Sequence, residues 1–162
     1  MQISVGVVMQ EWYQSRALYE AVNKLVSSGD FENAYTMARE ISDRSIRAKA
    51  FSRIAVEMAK KGMEYKEAIN KAIKAAYDIN NAEETTKTLM SLAFEFLNLG
   101  KIEDALAIAR FIKDVSNRSK IEAEVALELA RRGRVPEAMK IINGIMDEDV
   151  KTWATSRLVN TL

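Results

Sequence analysis

Side chains able to perform acid–base or nucleophilic catalysis are scarce in this sequence. The chain of 162 residues has no histidine and no cysteine, which removes the commonest general base, the thiolate nucleophile and zinc–cysteine sites. Acidic residues stand side by side at Glu83–Glu84 and at 147–149, but sequence neighbours do not share a helix face, so they indicate helix starts or solvated turns. We therefore expect no catalytic residue, no cofactor and no metal site. An enzyme based on Asp, Glu, Lys or Tyr alone stays an open alternative.

A regular series of basic residues is the most specific chemical feature. Four cations recur at intervals of 33, 38 and 33 residues. We call this series the basic ladder, and it consists of Arg16, Lys49, Lys87 and Lys120. The same intervals separate four glycines, which are Gly29, Gly62, Gly100 and Gly133. The ladder and the glycines therefore belong to an internal repeat, which decides the fold.

Each glycine of the repeat lies between two apolar patterns of helical period. Apolar residues stand eight, seven, four and three positions before it, which is one face of a helix, here called the A helix. After the glycine comes a short phrase ending in alanine, such as Gly-Asp-Phe-Glu-Asn-Ala34, and apolar residues follow four and seven positions later. These predict a B helix. The glycine then ends the A helix with a positive φ, Asp30 caps the next B helix, and Pro136 suits the first turn of another.

The repeat divides the chain into one all-α domain over residues 11–162. Its repeats cover roughly 11–43, 44–80, 81–115 and 116–149, and residues 150–162 continue the A-helix register as a capping helix. In that register Leu158, Val159 and Leu162 take positions of the buried face. Residues 1–10 are expected to form a lead-in, either an added strand or a flexible, frayed arm.

The repeat resembles the tetratricopeptide repeat (TPR) and its degenerate relatives. That family has a helix-turn-helix unit of about 34 residues, and its Gly-x-aromatic-x-x-Ala turn phrase is matched closely by Gly29 to Ala34. The tryptophan-like place eleven residues before the glycine is occupied by Leu18, Phe51, Leu89 and Glu122. The resemblance implies a right-handed α-α superhelix, a TPR-like solenoid, of about four helix-turn-helix repeats with a C-terminal capping helix. It also implies that the A helices line the concave face, the usual ligand surface of such solenoids.

A partner-binding surface is predicted on these A helices. Cations near helix N-termini oppose the helix dipole by roughly 0.3–1 kcal/mol each, so helix stability alone does not favour the ladder. The ladder, together with Arg53, predicts an acidic peptide or protein partner. Beneath it we expect an apolar strip, formed by Val56, Met90, Phe94 and Leu127.

The same residues allow a purely structural interpretation. Three pairs have the i,i+4 spacing of surface ion pairs, each worth a few tenths of a kcal/mol. These pairs are Arg16 with Glu20, Arg53 with Glu57, and Lys120 with Glu124. Phe94 and Leu127 would then pack on neighbouring A helices, and both interpretations stay open.

Three aromatic residues lie near the two ends of the repeat domain. They are Trp12, Tyr13 and Trp153. End repeats lack one neighbour, so we expect these rings to cap the terminal apolar faces, with a role as interface anchors as the alternative.

We expect a non-catalytic protein–protein interaction module, a scaffold or adaptor whose partner is a protein or peptide, with an acidic one favoured. A net charge of +1, from 24 basic and 23 acidic residues, argues against bulk nucleic-acid binding. Two alternatives remain: a helical-repeat reader of single-stranded nucleic acid, and a self-assembling structural protein or homo-oligomer.

The sequence also bears on the compartment. No apolar run approaches the roughly 20 residues that span a bilayer, and the start of the chain lacks the basic n-region of a secretory signal. We therefore expect a cytoplasmic protein without membrane contact. A composition without Cys and His, and rich in Glu, Lys and Arg, hints at a thermophile.

Overall fold

The computed structural model describes residues 5–162, and over this range the chain is all-α. Nine helices follow one another in the described residues, without a strand between them. They are α1 (Val5–Ser27), α2 (Phe31–Glu40), α3 (Arg44–Lys60), α4 (Lys66–Tyr77), α5 (Ala82–Asn98), α6 (Ile102–Ala109), α7 (Val115–Arg131), α8 (Val135–Asn143) and α9 (Glu148–Thr161). The odd-numbered helices are long, with 14 to 23 residues, and the even-numbered helices are short, with 8 to 12. Among the described residues, no helix has the length and apolarity that a membrane crossing requires.

The four repeat glycines end α1, α3, α5 and α7 in one common turn. All four have a φ between 71° and 83°, a region that glycine enters without the steric cost of a Cβ. In each turn the glycine N–H donates to the carbonyl three residues back, and the following N–H donates to the carbonyl five residues back. At Gly29 these bonds measure 3.1 Å to Val26 and 2.8 Å, from Asp30, to Leu25. The predicted positive-φ glycines at the A-helix ends are confirmed.

Helix caps follow the residue types at the helix starts. Asp30 Oδ1 accepts a hydrogen bond from the Asn33 backbone N–H at 3.2 Å at the start of α2, as predicted. Asp43 and Asp147 cap α3 and α9 in the same manner. Pro136 lies in the first turn of α8, where its missing N–H costs no hydrogen bond.

The face predicted for the B helices forms the core of the described residues. In every repeat the alanine of the turn phrase and the residues four and seven positions later are buried. These residues are Ala34, Ala38, Ile41, Ala68, Ala72, Ala75, Ala105, Ala109, Ile112, Ala138, Ile142 and Ile145. Within the four repeats, none of the predicted A-helix face positions is exposed. Removal of this apolar area from water, worth roughly 25 cal/mol per Å², is the main force that packs the helices.

The chain divides into two compact units. The border between them lies between Thr88 and Leu89, within α5. In the first unit α1 packs against α2 and α3, and α3 also packs against α2 and α4. In the second unit α7 packs against α6, α8 and α9, and α8 also contacts α9. A long helix that contacts the short helices on both sides of it and another long helix is compatible with a helical-repeat fold. The expectation of one domain over residues 11–162 stays a prediction.

The ends of the chain differ in part from the predictions. Residues 1–4 of the expected lead-in lie outside the described residues, while residues 5–10 form the first turns of α1 rather than a strand. In α9 the repeat register holds for Ala154 and Leu158, which are buried, but Val159 and Leu162 are 63% and 80% exposed. The register alone placed these last two side chains in an apolar interface. They are exposed because no helix in the described part of the chain covers them.

Two buried serines form hydrogen bonds between long helices, and neither was predicted from the sequence. Ser15 and Ser119, each fourteen residues before its glycine, are 1% and 0% exposed. Ser15 Oγ accepts a hydrogen bond from the Asp43 N–H at 3.1 Å, and Ser119 Oγ accepts one from the Asp147 N–H at 3.3 Å. The bonds join α1 to the start of α3 and α7 to the start of α9. The recurrence of serine at one repeat position is the signal that could have revealed them.

Candidate functional site

In the first unit the basic ladder lies beside aromatic rings of α1. Arg16 Cζ is 5.8 Å from the ring centroid of Trp12 and 5.9 Å from that of Tyr19. Lys49 Nζ, on α3, is 5.9 Å from the Tyr19 ring. Such contacts are worth about 0.5–1 kcal/mol at exposed sites. These two cations therefore have aromatic neighbours within their own unit, which the spacing of the ladder did not reveal.

Arg53 and Lys87 are engaged in ion pairs on their own helices. Arg53 Nη1 is 3.1 Å from Glu57 Oε1 on α3, as the i,i+4 spacing predicted. Lys87 Nζ is 3.3 Å from Glu83 Oε1 on α5, and both side chains are more than two-thirds exposed. Exposed pairs of this kind add little stability. For these two residues the structural interpretation has the more direct support.

The predicted apolar strip is not a continuous surface. Val56 is 5% exposed and Leu127 is 1% exposed, so both belong to the core. A buried side chain offers no area to a partner, and the assignment of these two residues to a binding strip is wrong. Met90 is partly exposed and Phe94 is 37% exposed, so these two remain available.

Met90 and Phe94 line a groove of about 430 Å³ within the second unit. Three long helices, α5, α7 and α9, form it, and we call it the long-helix groove. Its lining consists of Met90, Phe94, Lys120, Glu124, Asp149, Val150 and Trp153. Phe94 and Trp153 are 37% and 44% exposed, so part of each aromatic ring is open to a ligand.

The three charged residues of the long-helix groove have no ionic partner in the described part of the chain. Lys120, Glu124 and Asp149 form no ion pair and no side-chain hydrogen bond there. The Lys120–Glu124 ion pair suggested by the i,i+4 spacing is therefore not formed. The Arg16–Glu20 ion pair is likewise absent from the part of the chain that the structure describes. Charges without intramolecular partners are available to a ligand, because binding does not first require an ion pair to break.

Trp153 extends the basic ladder by one position on α9. Lys49 and Lys120 directly precede Ala50 and Ile121, and Trp153 directly precedes Ala154 at the equivalent place. An aromatic side chain thus replaces a cation where the groove lies, and Arg157 Cζ is 5.7 Å from its ring centroid. Trp153 was predicted to cap a terminal apolar face, with an interface anchor as the alternative, and was not assigned to the ladder. Ile145 and Ala154 are nine residues apart, as are Ile112 and Ile121, and this equal spacing could have assigned Trp153 to the ladder.

Trp12 and Tyr13, on α1, are both exposed in large part, and their capping role stays a prediction. They are 47% and 60% exposed, and their ring centroids are 5.0 Å apart in an edge-to-face arrangement. About half of the Trp12 side chain and more than half of the Tyr13 side chain are therefore available to a partner, which is compatible with the alternative of interface anchors.

Comparisons with protein-family models, with curated proteins and with solved structures find no match to this chain. Between residues 5 and 162 no group of three or more acidic side chains is arranged to hold a metal ion.

Proposed function

We propose that the chain is a TPR-like right-handed superhelix of about four repeats with a capping helix, and that it acts as a non-catalytic protein–protein interaction module in the cytoplasm. The common glycine turn and the packing of long helices on short ones within each unit support the repeat fold. One observation supports the function most directly. It is the long-helix groove, where Phe94 and Trp153 are partly exposed beside charged residues without partners.

The proposed ligand is a protein or peptide segment that inserts an apolar side chain between Phe94 and Trp153. Partly exposed aromatic residues in a groove are the usual hot spots of such interfaces. Beside the apolar anchor, Lys120 favours an acidic residue, while Glu124 and Asp149 favour a basic one. The ladder predicted an acidic partner, and the groove reduces this prediction to a single acidic residue of the partner, in contact with Lys120.

Affinity capture followed by reconstitution tests the function. The full chain is used as bait in native extract, the captured protein is purified, and its affinity is measured by calorimetry. Trp153→Ala is expected to weaken binding about tenfold or more, since truncation of a central aromatic anchor typically costs about 2 kcal/mol.

The matched control is Trp12→Ala, because Trp12 is 47% exposed and Trp153 is 44% exposed, yet Trp12 lies on α1, outside the groove. It should leave affinity unchanged. Far-UV circular dichroism verifies that both variants fold. Equal affinity of wild type and Trp153→Ala for the purified partner would exclude the groove as the binding site.

Self-assembly is a second candidate function, favoured by exposed apolar residues near both ends of the chain. Met9, Trp12 and Tyr13 on α1 are 50%, 47% and 60% exposed, and Val159 and Leu162 are more exposed still. Clusters of this kind often mark interfaces. Light scattering at two concentrations tests self-assembly. Assembly is supported if the mass exceeds the monomer value of 18.2 kDa and returns to it in a Trp12→Ala, Tyr13→Ala double variant. A monomer mass at both concentrations excludes it.

A further inference from the structure

Glu122 on α7 occupies a repeat position that is apolar in the other three repeats. The equivalents are Leu18, Phe51 and Leu89, of which Phe51 is 8% and Leu89 1% exposed. Glu122 is itself partly buried. Its carboxylate forms no hydrogen bond or ion pair within the described residues. A partly buried carboxylate without a hydrogen bond or ion pair carries a desolvation cost, so packing alone does not explain why glutamate replaces leucine or phenylalanine at this position.

Glu122 lines a cleft of about 420 Å³ formed by residues of α6, α7 and α8, which shares no lining residue with the long-helix groove. The lining consists of Leu106, Arg110, Glu122, Glu137, Lys140, Ile141 and Gly144. Leu106 and Ile141 supply apolar walls. Arg110 and Gly144 are the C-caps of α6 and α8, so the carbonyl ends of two helices, which carry partial negative charge, lie at the cleft.

The basic residues around the cleft do not neutralise Glu122 directly. Arg118 donates to the Ile112 carbonyl at 3.1 Å and lies 3.3 Å from Met146 Sδ. Arg110 and Lys140 are exposed and form no ion pair with Glu122. Burial raises the pKa of the Glu122 carboxyl, and the charges of Arg118 and Arg110 offset this only in part.

Glu137, the fourth charged residue of the cleft lining, already has an ionic partner. Glu137 accepts a hydrogen bond from Arg134 Nη2 at 2.6 Å, and that guanidinium also bonds Glu103 at 2.9 Å. Among the charged residues of the cleft lining, Glu122 is therefore the one that is partly buried and forms neither a hydrogen bond nor an ion pair with the described residues.

We infer that this cleft binds an alkylammonium or alkylguanidinium group, with the cation at the Glu122 carboxylate and its apolar stem against Leu106 and Ile141. A long cationic side chain combines these two parts, because its methylene stem packs on apolar surface while its head remains polar. The helix C-termini favour the same sign of charge. The group belongs either to a lysine or arginine side chain of a protein or to a free alkylamine.

The test is an amide NMR titration of the full chain with n-butylammonium and, separately, with butyrate, an anion of the same size. Butylammonium is expected to produce saturable shifts at Leu106, Glu122 and Ile141, and to lower the Glu122 pKa followed by carboxyl NMR. Glu122→Leu, which restores the residue type of Leu18 and Leu89, should weaken this binding about tenfold or more. Glu122→Gln retains the side-chain shape and should also lose it, so a packing defect cannot account for the result.

Trp153→Ala serves as the control that separates this site from the long-helix groove, and it should bind butylammonium as the wild type does. Shifts with butyrate but not with butylammonium would assign an anion site at Arg110 and Lys140 and overturn the inference. Equal butylammonium shifts in wild type and Glu122→Gln, or no saturable shift in the wild type, would overturn it too. If the inference holds, the affinities of two cations are compared. Tighter binding of Nα-acetyl-lysine N-methylamide would indicate a protein side chain, and tighter binding of 1,4-diaminobutane would indicate a free amine.

Discussion

Residues at one repeat position have different surroundings, as Lys87 and Lys120 illustrate. Lys87 pairs with Glu83 on its own helix at 3.3 Å, whereas Lys120 lines the long-helix groove and has no ionic partner in the described residues. The sequence predicted that both lie on the partner-binding surface of the A helices. It could not separate them, because spacing along one helix does not indicate which cation lies beside an exposed aromatic ring of another.

Charge reversal at these two lysines should therefore have unequal effects on the proposed partner. Lys120→Glu is expected to weaken binding about tenfold, because it places a third acidic group beside Glu124 and Asp149. Lys87→Glu should change affinity by less than about twofold and stability by a few tenths of a kcal/mol. Calorimetry with the purified partner measures both. Equal losses in the two variants would mean that the whole ladder acts, rather than the groove.

The carboxyl of Glu122 should also leave a trace in the pH dependence of stability. Burial raises its pKa in the folded state, against the opposing charges of Arg118 and Arg110. The folded chain then holds this proton more tightly than the unfolded chain. The contribution of Glu122 to the free energy of unfolding is therefore greatest at low pH and is lost as pH rises from about 4.3 through the folded pKa. Glu122→Gln should be more stable than wild type near pH 7, with the advantage shrinking towards about pH 4.

Urea unfolding of both proteins across this pH range measures the difference. Three other carboxylates have their pKa shifted in the opposite direction, because hydrogen bonds from arginine side chains lower it. They are Glu103, Glu128 and Glu137. They are the same in both proteins, so they cancel in the comparison. A constant stability difference between wild type and variant would contradict the raised pKa.

At the level of helices, most of the packing could be predicted from sequence period. The glycine turns, the B-helix face and the cap at Asp30 depend on residues within a few positions of one another. Val56 and Leu127 were misplaced because α3 and α7 each pack against three helices within their units. A helix with three neighbours buries a wider arc than the four positions of the A-helix pattern, and only the assembled unit shows which side chains that arc includes.

The buried serine bonds between long helices should contribute measurably to stability. Ser119→Ala leaves the Asp147 N–H without the acceptor that it has at 3.3 Å, and Ser119 is 0% exposed. We expect a loss of about 1–3 kcal/mol in the free energy of unfolding, the typical cost of an unsatisfied buried group. Faster hydrogen exchange at the Asp147 amide should accompany it.

Ser156→Ala is the matched control, because Ser156 is exposed on α9 and its loss should change stability by less than about 0.5 kcal/mol. Denaturant unfolding of the three proteins measures both effects. Should the Ser119 and Ser156 variants prove equally stable, the hydrogen bond would not hold α7 to α9.

For the molecule as a whole, the all-α class and the repeated helix pairs could be predicted from the sequence. Met90, Phe94 and Lys120 of the long-helix groove were also predicted as binding residues, but the grouping of the lining residues was not. The long-helix groove combines side chains from α5, α7 and α9, which are separated by up to 63 residues between Met90 and Trp153. The cleft at Glu122 likewise requires three helices. The odd residue at a repeated core position, glutamate among leucine and phenylalanine, was visible in the sequence, but the cleft that gives it meaning arises only when α6 and α8 pack beside α7.

The position of Trp153 also makes the chain its own optical reporter. The sequence contains two tryptophans, one on α1 and one in the long-helix groove, and indole emission responds to the water around the ring. A Trp12→Phe variant would leave Trp153 as the only indole, so the wavelength of its emission would register directly whether the groove is empty or filled, without any attached dye.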